Sequence, residues 1–246
     1  MGYRGIGVVP ENVMKKADVV SRDVWLEKRR ELLAKEKAHS RARDALTKER
    51  QALPWVKVDE KYVFRGPDGE QSLAELFDGR EQLVTYHFMY GPDWEVGCKS
   101  CSFVTDHIEP ALVHLAHRDV SLVLVSHAPL TKLEAFRERM RWNVKWVSAH
   151  GSNFNRDFNV TFTKEELDSG QAFYNFETRT FSSTEAPGIS VFAKGDDGAV
   201  YHTYSAYERG LERFIGTYDL LDIVPKGRDE GGKNMGWLRL KDSYED

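Results

Sequence analysis

Cysteine is nearly absent from this chain: 246 residues hold two, Cys98 and Cys101. So few excludes a small secreted scaffold stapled by several bridges. Long apolar runs are missing as well. No stretch of about eighteen apolar residues occurs, so no transmembrane helix is expected. Neither sign of charge dominates, with 35 Lys and Arg against 39 Asp and Glu. That balance offers no basic excess for nucleic acid or an anionic membrane. Residues 1–10 show no apolar core followed by a cleavage site, and Tyr3 after Gly2 fits poorly with acylation. A cytoplasmic location is the expectation. Repeats and low-complexity tracts are also lacking. With 41% hydrophobic residues the chain can bury one good core, perhaps with an added arm.

The two cysteines stand three residues apart, in Val96-Gly97-Cys98-Lys99-Ser100-Cys101-Ser102-Phe103. An apolar strand-like run, residues 83–89, precedes them, and helical periodicity follows over 98–117. A thiol at a helix start meets unpaired N–H groups and the positive end of the dipole, which favour thiolate. Cys98 is therefore the expected nucleophile. Cys101, one turn in, is placed to attack a mixed disulfide and release the reduced product. Lys99 adds positive charge, whereas Asp93 and Glu95 oppose it, so the sign of the net shift at Cys98 is not fixed by sequence. Zinc is the chemical rival: Cys98 and Cys101 with His107 or His87, completed from His114, His127, His150 or His202. The second ligand pair of the usual spacings is missing, and no metal or other cofactor is expected. His87, inside an apolar strand, reads as a hydrogen-bonded core residue. Asp106 and Glu109 could relay protons to Cys101 or simply form a helix face.

Three segments organise the chain. Residues 1–53 form an N-terminal arm with a long charged helix over 22–52, capped by Ser21 or Asp23. Its thin stripe, Leu26, Leu33 and Leu46, suits a partner surface, a homodimer or a clasp on its own domain. Residues 54–225 carry the main domain, and 226–246 a polar, Gly-rich tail. Within the domain, strands are expected at 56–58, 62–64, 83–89, 120–126 and 146–148, and helices at 72–77, 98–117, 129–142 and 211–221. Ser72 with Glu75 has the spacing of a capping box. Residues 189–193 and 200–204 flank Gly195-Asp196-Asp197-Gly198 as a hairpin. Residues 151–186 have no regular pattern. Their aromatics, Phe173-Tyr174-Asn175-Phe176 among them, could wall a groove or fill the core under a long loop.

The resulting order, β-α-β-α-β-β-α, is that of a thioredoxin-like α/β/α sandwich. In that fold class a cis-proline loop packs beside the dithiol, and Ala186-Pro187-Gly188 stands directly before the hairpin. Pro187 is either cis, presenting the Ala186 backbone to an extended substrate, or a trans proline that starts a strand.

The segment from Tyr86 to Phe103, Trp94 included, resembles the signature of a bacterial thioredoxin-like group, the domain-of-unknown-function family 899. Residues 146–148, 151–158, 187–192, 201–205, 225–230 and 237–239 carry the same resemblance over nearly the whole chain. It implies a thioredoxin-like fold and dithiol–disulfide oxidoreductase activity on a protein or small-molecule disulfide. Cys98 and Cys101 would be the catalytic residues, with Pro187, Trp94 and Lys99 supporting. The chain is similar, more distantly, to the peroxiredoxin and alkyl-hydroperoxide-reductase branch. Glu95 stands where that branch has a threonine, and Cys101 near where it has a carboxylate. Peroxide reduction at Cys98 is the alternative chemistry. A redox-sensing or binding module that docks a partner through the long helix is the non-enzymatic one.

Overall fold

A computed structural model describes residues 17–244; the reading of residues 1–10 falls outside them. The chain opens with α1 (Arg22–Gln51), capped by the Ser21 hydroxyl, which accepts from the Val24 N–H. At about 1.5 Å per residue its 30 residues span roughly 45 Å, and none is buried. Of the thin stripe expected from the sequence, Leu33 and Leu46 stay exposed and Leu26 is half-buried.

After β1 (Val56–Lys57) come the paired strands β2 (Val63–Gly66) and β3 (Gly69–Ser72). Ser72 and Glu75 cap each other reciprocally: the Ser72 N–H donates to the Glu75 carboxylate at 2.7 Å, and the Glu75 N–H to the Ser72 hydroxyl at 3.3 Å. The turn they start is a 3-10 helix (Glu75–Phe77) rather than a helix over 72–77. The central strand β4 (Gln82–His87) leads into α2 (Lys99–Ile108), then a 3-10 turn (Glu109–Ala111) and α3 (Leu112–Ala116). The continuous helix expected over 98–117 is thus broken at Pro110, which has no N–H to give.

Beyond lie β5 (Val120–Ser126), α4 (Leu130–Arg139) and β6 (Lys145–Ser148), then the short helices α5 (Phe154–Asp157) and α6 (Lys164–Asp168). A small ribbon, β7 (Ala172–Tyr174) and β8 (Glu177–Arg179), follows; the hairpin β9 (Gly188–Lys194) and β10 (Val200–Tyr207) comes next. The last helix splits into a 3-10 segment (Glu208–Phe214) and α7 (Gly216–Leu221).

The main sheet has the order β1-β10-β9-β4-β5-β6-β2-β3. β4, β5 and β6 are parallel neighbours, β9 is antiparallel to β4, and β10 to β9. This is the thioredoxin-like arrangement, with the thiol-bearing helix issuing from the central strand. Its two covering layers are unequal. On one face Tyr86, Leu124 and Ile189 pack against α2, α4 and α7 through Val104, Phe136 and Tyr218. On the other, Leu83, Val125 and Phe192 meet Phe64, Phe77 and Phe154. Alternation along β4 decides which face each side chain joins.

The segment expected as a polar tail is part of the body. Leu238 is buried, and Trp237 packs edge-on to Phe103 at 5.8 Å. Arg139 holds Asp242 at 2.7 Å, and Lys241 reaches Asp106 at 2.9 Å. Among the described residues, no helix is long and apolar enough to cross a membrane.

Candidate active site

Both thiols are free, with the sulfurs 3.8 Å apart. Cys98 is the N-cap of α2, extended at φ −60° and ψ 127°, and partly exposed. Its N–H donates to the Met89 carbonyl at 3.1 Å, pinning the loop 90–97 back onto the strand end. Directly before it, Gly97 lies buried where an added Cβ would stand 2.8 Å from Phe88 and 3.0 Å from Phe136. Only glycine lets the backbone come this close to the aromatic cluster.

Cys101, 1% exposed, joins the core below. Its Sγ accepts from the Met89 N–H at 3.4 Å, and the Tyr86 hydroxyl donates to it as well. Burial pushes the Cys101 thiol well above its usual value, reinforced by the neighbouring Cys98, against the lowering by those two hydrogen bonds. Cys98 moves the other way, to about 6. The largest cause is the Cys101 thiol, which donates to the Cys98 thiolate. Burial opposes, and the amides of Cys101 and Ser100 with the Ser100 hydroxyl add to the lowering. The neutral Cys98 thiol makes no close cap to the first turn; these donors act on the charged form. Two identical groups are thus split, one ready to ionise and one held protonated.

Cys101 also lines a cavity of about 370 Å³ between α2 and the 3-10 segment (Glu208–Phe214), together with Tyr86, Met89, Pro187, Asn234 and Met235. Pro187 thus lines the same cavity as the buried sulfur. The bond before it is trans, however, since no described peptide bond is cis. The Tyr174 hydroxyl donates to the Pro187 carbonyl at 2.7 Å, so the loop is held by a side chain from β7.

The other supporting residues act differently from expectation. The Lys99 ammonium donates to the Leu238 carbonyl at 2.8 Å, and it is not among the causes of the low Cys98 value. It fastens the C-terminal segment to the start of α2. Trp94 lies over Gly91, close enough that a Cβ there would be 2.9 Å from the indole nitrogen. Lys132 donates to the Pro92 and Trp94 carbonyls at 2.6 and 2.9 Å, so this loop is anchored to α4.

The histidines weighed as zinc ligands are not gathered at the thiols. His87 points to the opposite sheet face, against Phe154 and Phe158, with Nε2 2.9 Å from the Ser190 hydroxyl. Burial lowers it to about 3, with His202 contributing, so it is neutral near pH 7. His107 is engaged by the Phe103 carbonyl and the Thr217 hydroxyl at 2.6 and 2.7 Å. Among the described residues no group of three His, Cys, Asp or Glu is arranged to hold a metal ion. Asp106 accepts from the Trp142 indole at 2.7 Å, and Glu109 from the Asn143 N–H at 3.0 Å. Both serve packing rather than a relay to Cys101.

Sequence reading missed Tyr86, Ser100, Asn234 and Met235. Ser100 lay inside the motif and could have been found as a donor to the cap. Asn234 and Met235 gave no signal, because they reach the site only through the folding-back of the C-terminal segment.

A family model described as "Bacterial protein of unknown function (DUF899)" matches residues 14–244. The chain belongs to this family. No curated protein matches it. Solved structures that it resembles include the peroxidoxin BcpB of Mycobacterium tuberculosis, at 13% identity over 67% of this chain and 95% of that one, TM-score 0.42. Another is peroxiredoxin Q of Xanthomonas campestris, at 10% identity over 70% and 98%, TM-score 0.44. The mitochondrial 2-Cys peroxiredoxin of Plasmodium falciparum matches at 10% over 68% and 93%, TM-score 0.40. These overlaps are loose; the thioredoxin-like assignment of this DUF899 member stands on its own strand order.

Proposed function

We propose that this DUF899 protein is a thiol–disulfide oxidoreductase in which Cys98 attacks and Cys101 resolves. The observation that carries the reading is the opposed pair: a helix-capping thiol lowered to about 6, and a buried thiol raised well above its usual value. The Cys98 thiolate attacks one sulfur of a substrate disulfide, forms a mixed disulfide and expels the other sulfur as a thiolate. Cys101 then gives up its proton and attacks the Cys98 sulfur, releasing the second substrate thiolate. Closing the ring draws the sulfurs from 3.8 Å to bonding distance, about 2.05 Å. Two electrons pass to the substrate, and a dithiol reductant must return them. A protein or low-molecular-weight disulfide is the substrate class, and the work is that of a cytoplasmic enzyme without metal or cofactor.

The test is a pair of single substitutions assayed on a dithiol-coupled disulfide substrate. Cys98→Ser is expected to remove turnover. Cys101→Ser is expected to trap a mixed disulfide at Cys98, visible as added mass that dithiothreitol removes. The reverse pattern, or two thiols that stay reduced across a glutathione redox series, would overturn the proposal. Steady turnover of hydrogen peroxide exceeding that of disulfides would instead favour peroxide chemistry at the same thiolate.

A further inference from the structure

A second cavity, of about 620 Å³, lies on the same sheet face as the thiols but further down α2. Its floor is the sheet, through Val84, Leu122 and Ile189, and its wall is helical, through Ile108, Ala111 and Leu115. Val84 is two residues before Tyr86 on β4, and Ile108 two turns beyond Cys101 on α2. The groove is therefore separate from the thiol cavity: Ile189 lines the one, Tyr86 and Val104 line the other, and no residue lines both.

Charge at this groove is one-sided. Arg50, in the last turn of α1, and Arg213 line it, and no described carboxylate does. Neither arginine forms an ion pair with a described residue, although sixteen such pairs exist elsewhere; Arg213 only lies over the Phe214 ring at 5.5 Å. A roomy apolar chamber with two unpaired guanidinium groups is complementary to an apolar body ending in a carboxylate. The guanidinium fork matches that group in two parallel hydrogen bonds, and the volume falls in the range of small-molecule sites.

We infer that the groove beneath the end of α1 is a binding site for a long-chain carboxylate, held by its apolar chain against the sheet and by its head group on Arg50 and Arg213. The site uses neither cysteine, so it stands or falls apart from the redox chemistry.

Titration of the full chain with cis-parinaric acid and with its methyl ester, followed by fluorescence, tests the inference. Saturable one-to-one binding is expected, with the acid at least about ten-fold tighter than the ester. Arg50→Gln combined with Arg213→Gln is expected to erase that preference while leaving ester binding in place. Ala111→Trp, which fills the chamber, is expected to remove both. Cys98→Ser with Cys101→Ser is expected to change neither. Equal binding of acid and ester, no saturable binding, or binding that survives a folded Ala111→Trp would overturn the assignment. Sedimentation of the chain as a dimer that excludes both probes would do the same, giving the groove to a second copy. Should Ala111→Trp not fold, the contrast between acid and ester on the unsubstituted chain still decides.

Discussion

Cys98 is lowered because its charged form is favoured by the Cys101 thiol and the first-turn amides. The thiolate fraction then rises through pH 6, so alkylation by iodoacetamide should accelerate from about pH 5 and level off above about pH 7. A midpoint near the ordinary thiol value of 9.0 would mean the cap contributes nothing. Cys101→Ala removes the largest cause and should carry the midpoint upward. The same depression links folding to pH: the stabilisation from Cys98 is complete above the unfolded value near 9 and is lost as pH falls through about 6. At the adjoining glycine the argument is steric. Gly97→Ala places a methyl 2.8 Å from Phe88, and overpacking of this kind costs about 1–3 kcal/mol. Chemical denaturation should show that loss with little change in slope, and an unchanged midpoint would mean the aromatic cluster yields freely.

Two elements behave otherwise than their sequences suggest, each for a physical reason. The ribbon β7–β8 turns at Asn175 and Phe176, both left-handed at φ +54° and +65°. Asparagine often adopts that conformation and phenylalanine rarely does, so the turn is disguised as a run of aromatics. Tyr174 faces the core there while Phe173 and Phe176 stay exposed, so core filling is met by Tyr174 alone. The C-terminal segment looks like a tail because Gly, Lys and Asp separate its apolar residues. Met235, Trp237 and Leu240 pack against the core that holds α2, with Leu238 buried among them in sequence, and so fold it back. Leu238→Ala should therefore cost about 2–4 kcal/mol, as for other buried leucines, measured by urea unfolding. Lys99→Met should loosen this segment near the thiols, raising its amide exchange, while the Cys98 alkylation midpoint stays in place. A shifted midpoint would return Lys99 to the role the sequence suggested.

For the molecule as a whole, α1 is an appendage by burial. A chain starting at residue 53 should lose helical ellipticity in proportion to α1 yet keep its melting temperature within about 2 °C, because exposed residues contribute little. A fall of ten degrees or more would show that α1 is clasped to a body or a partner. Sedimentation of both chains separates those two cases.

The sequence by itself determined the strand–helix alternation, the β9–β10 hairpin and the placing of Cys98 at a helix mouth. Each is a matter of local periodicity, turn chemistry or spacing along a few residues. What only the tertiary structure decided was the contrast between the two sulfurs. The first-turn N–H groups act on Cys98, whereas burial under the sheet face raises Cys101 against the opposing hydrogen bonds from Tyr86 and Met89. The same holds for the trans bond at Pro187, the work of Lys99 and the unpaired arginines over the second cavity. Those depend on which distant segments meet, and burial and charge are properties of that meeting rather than of any short stretch of chain.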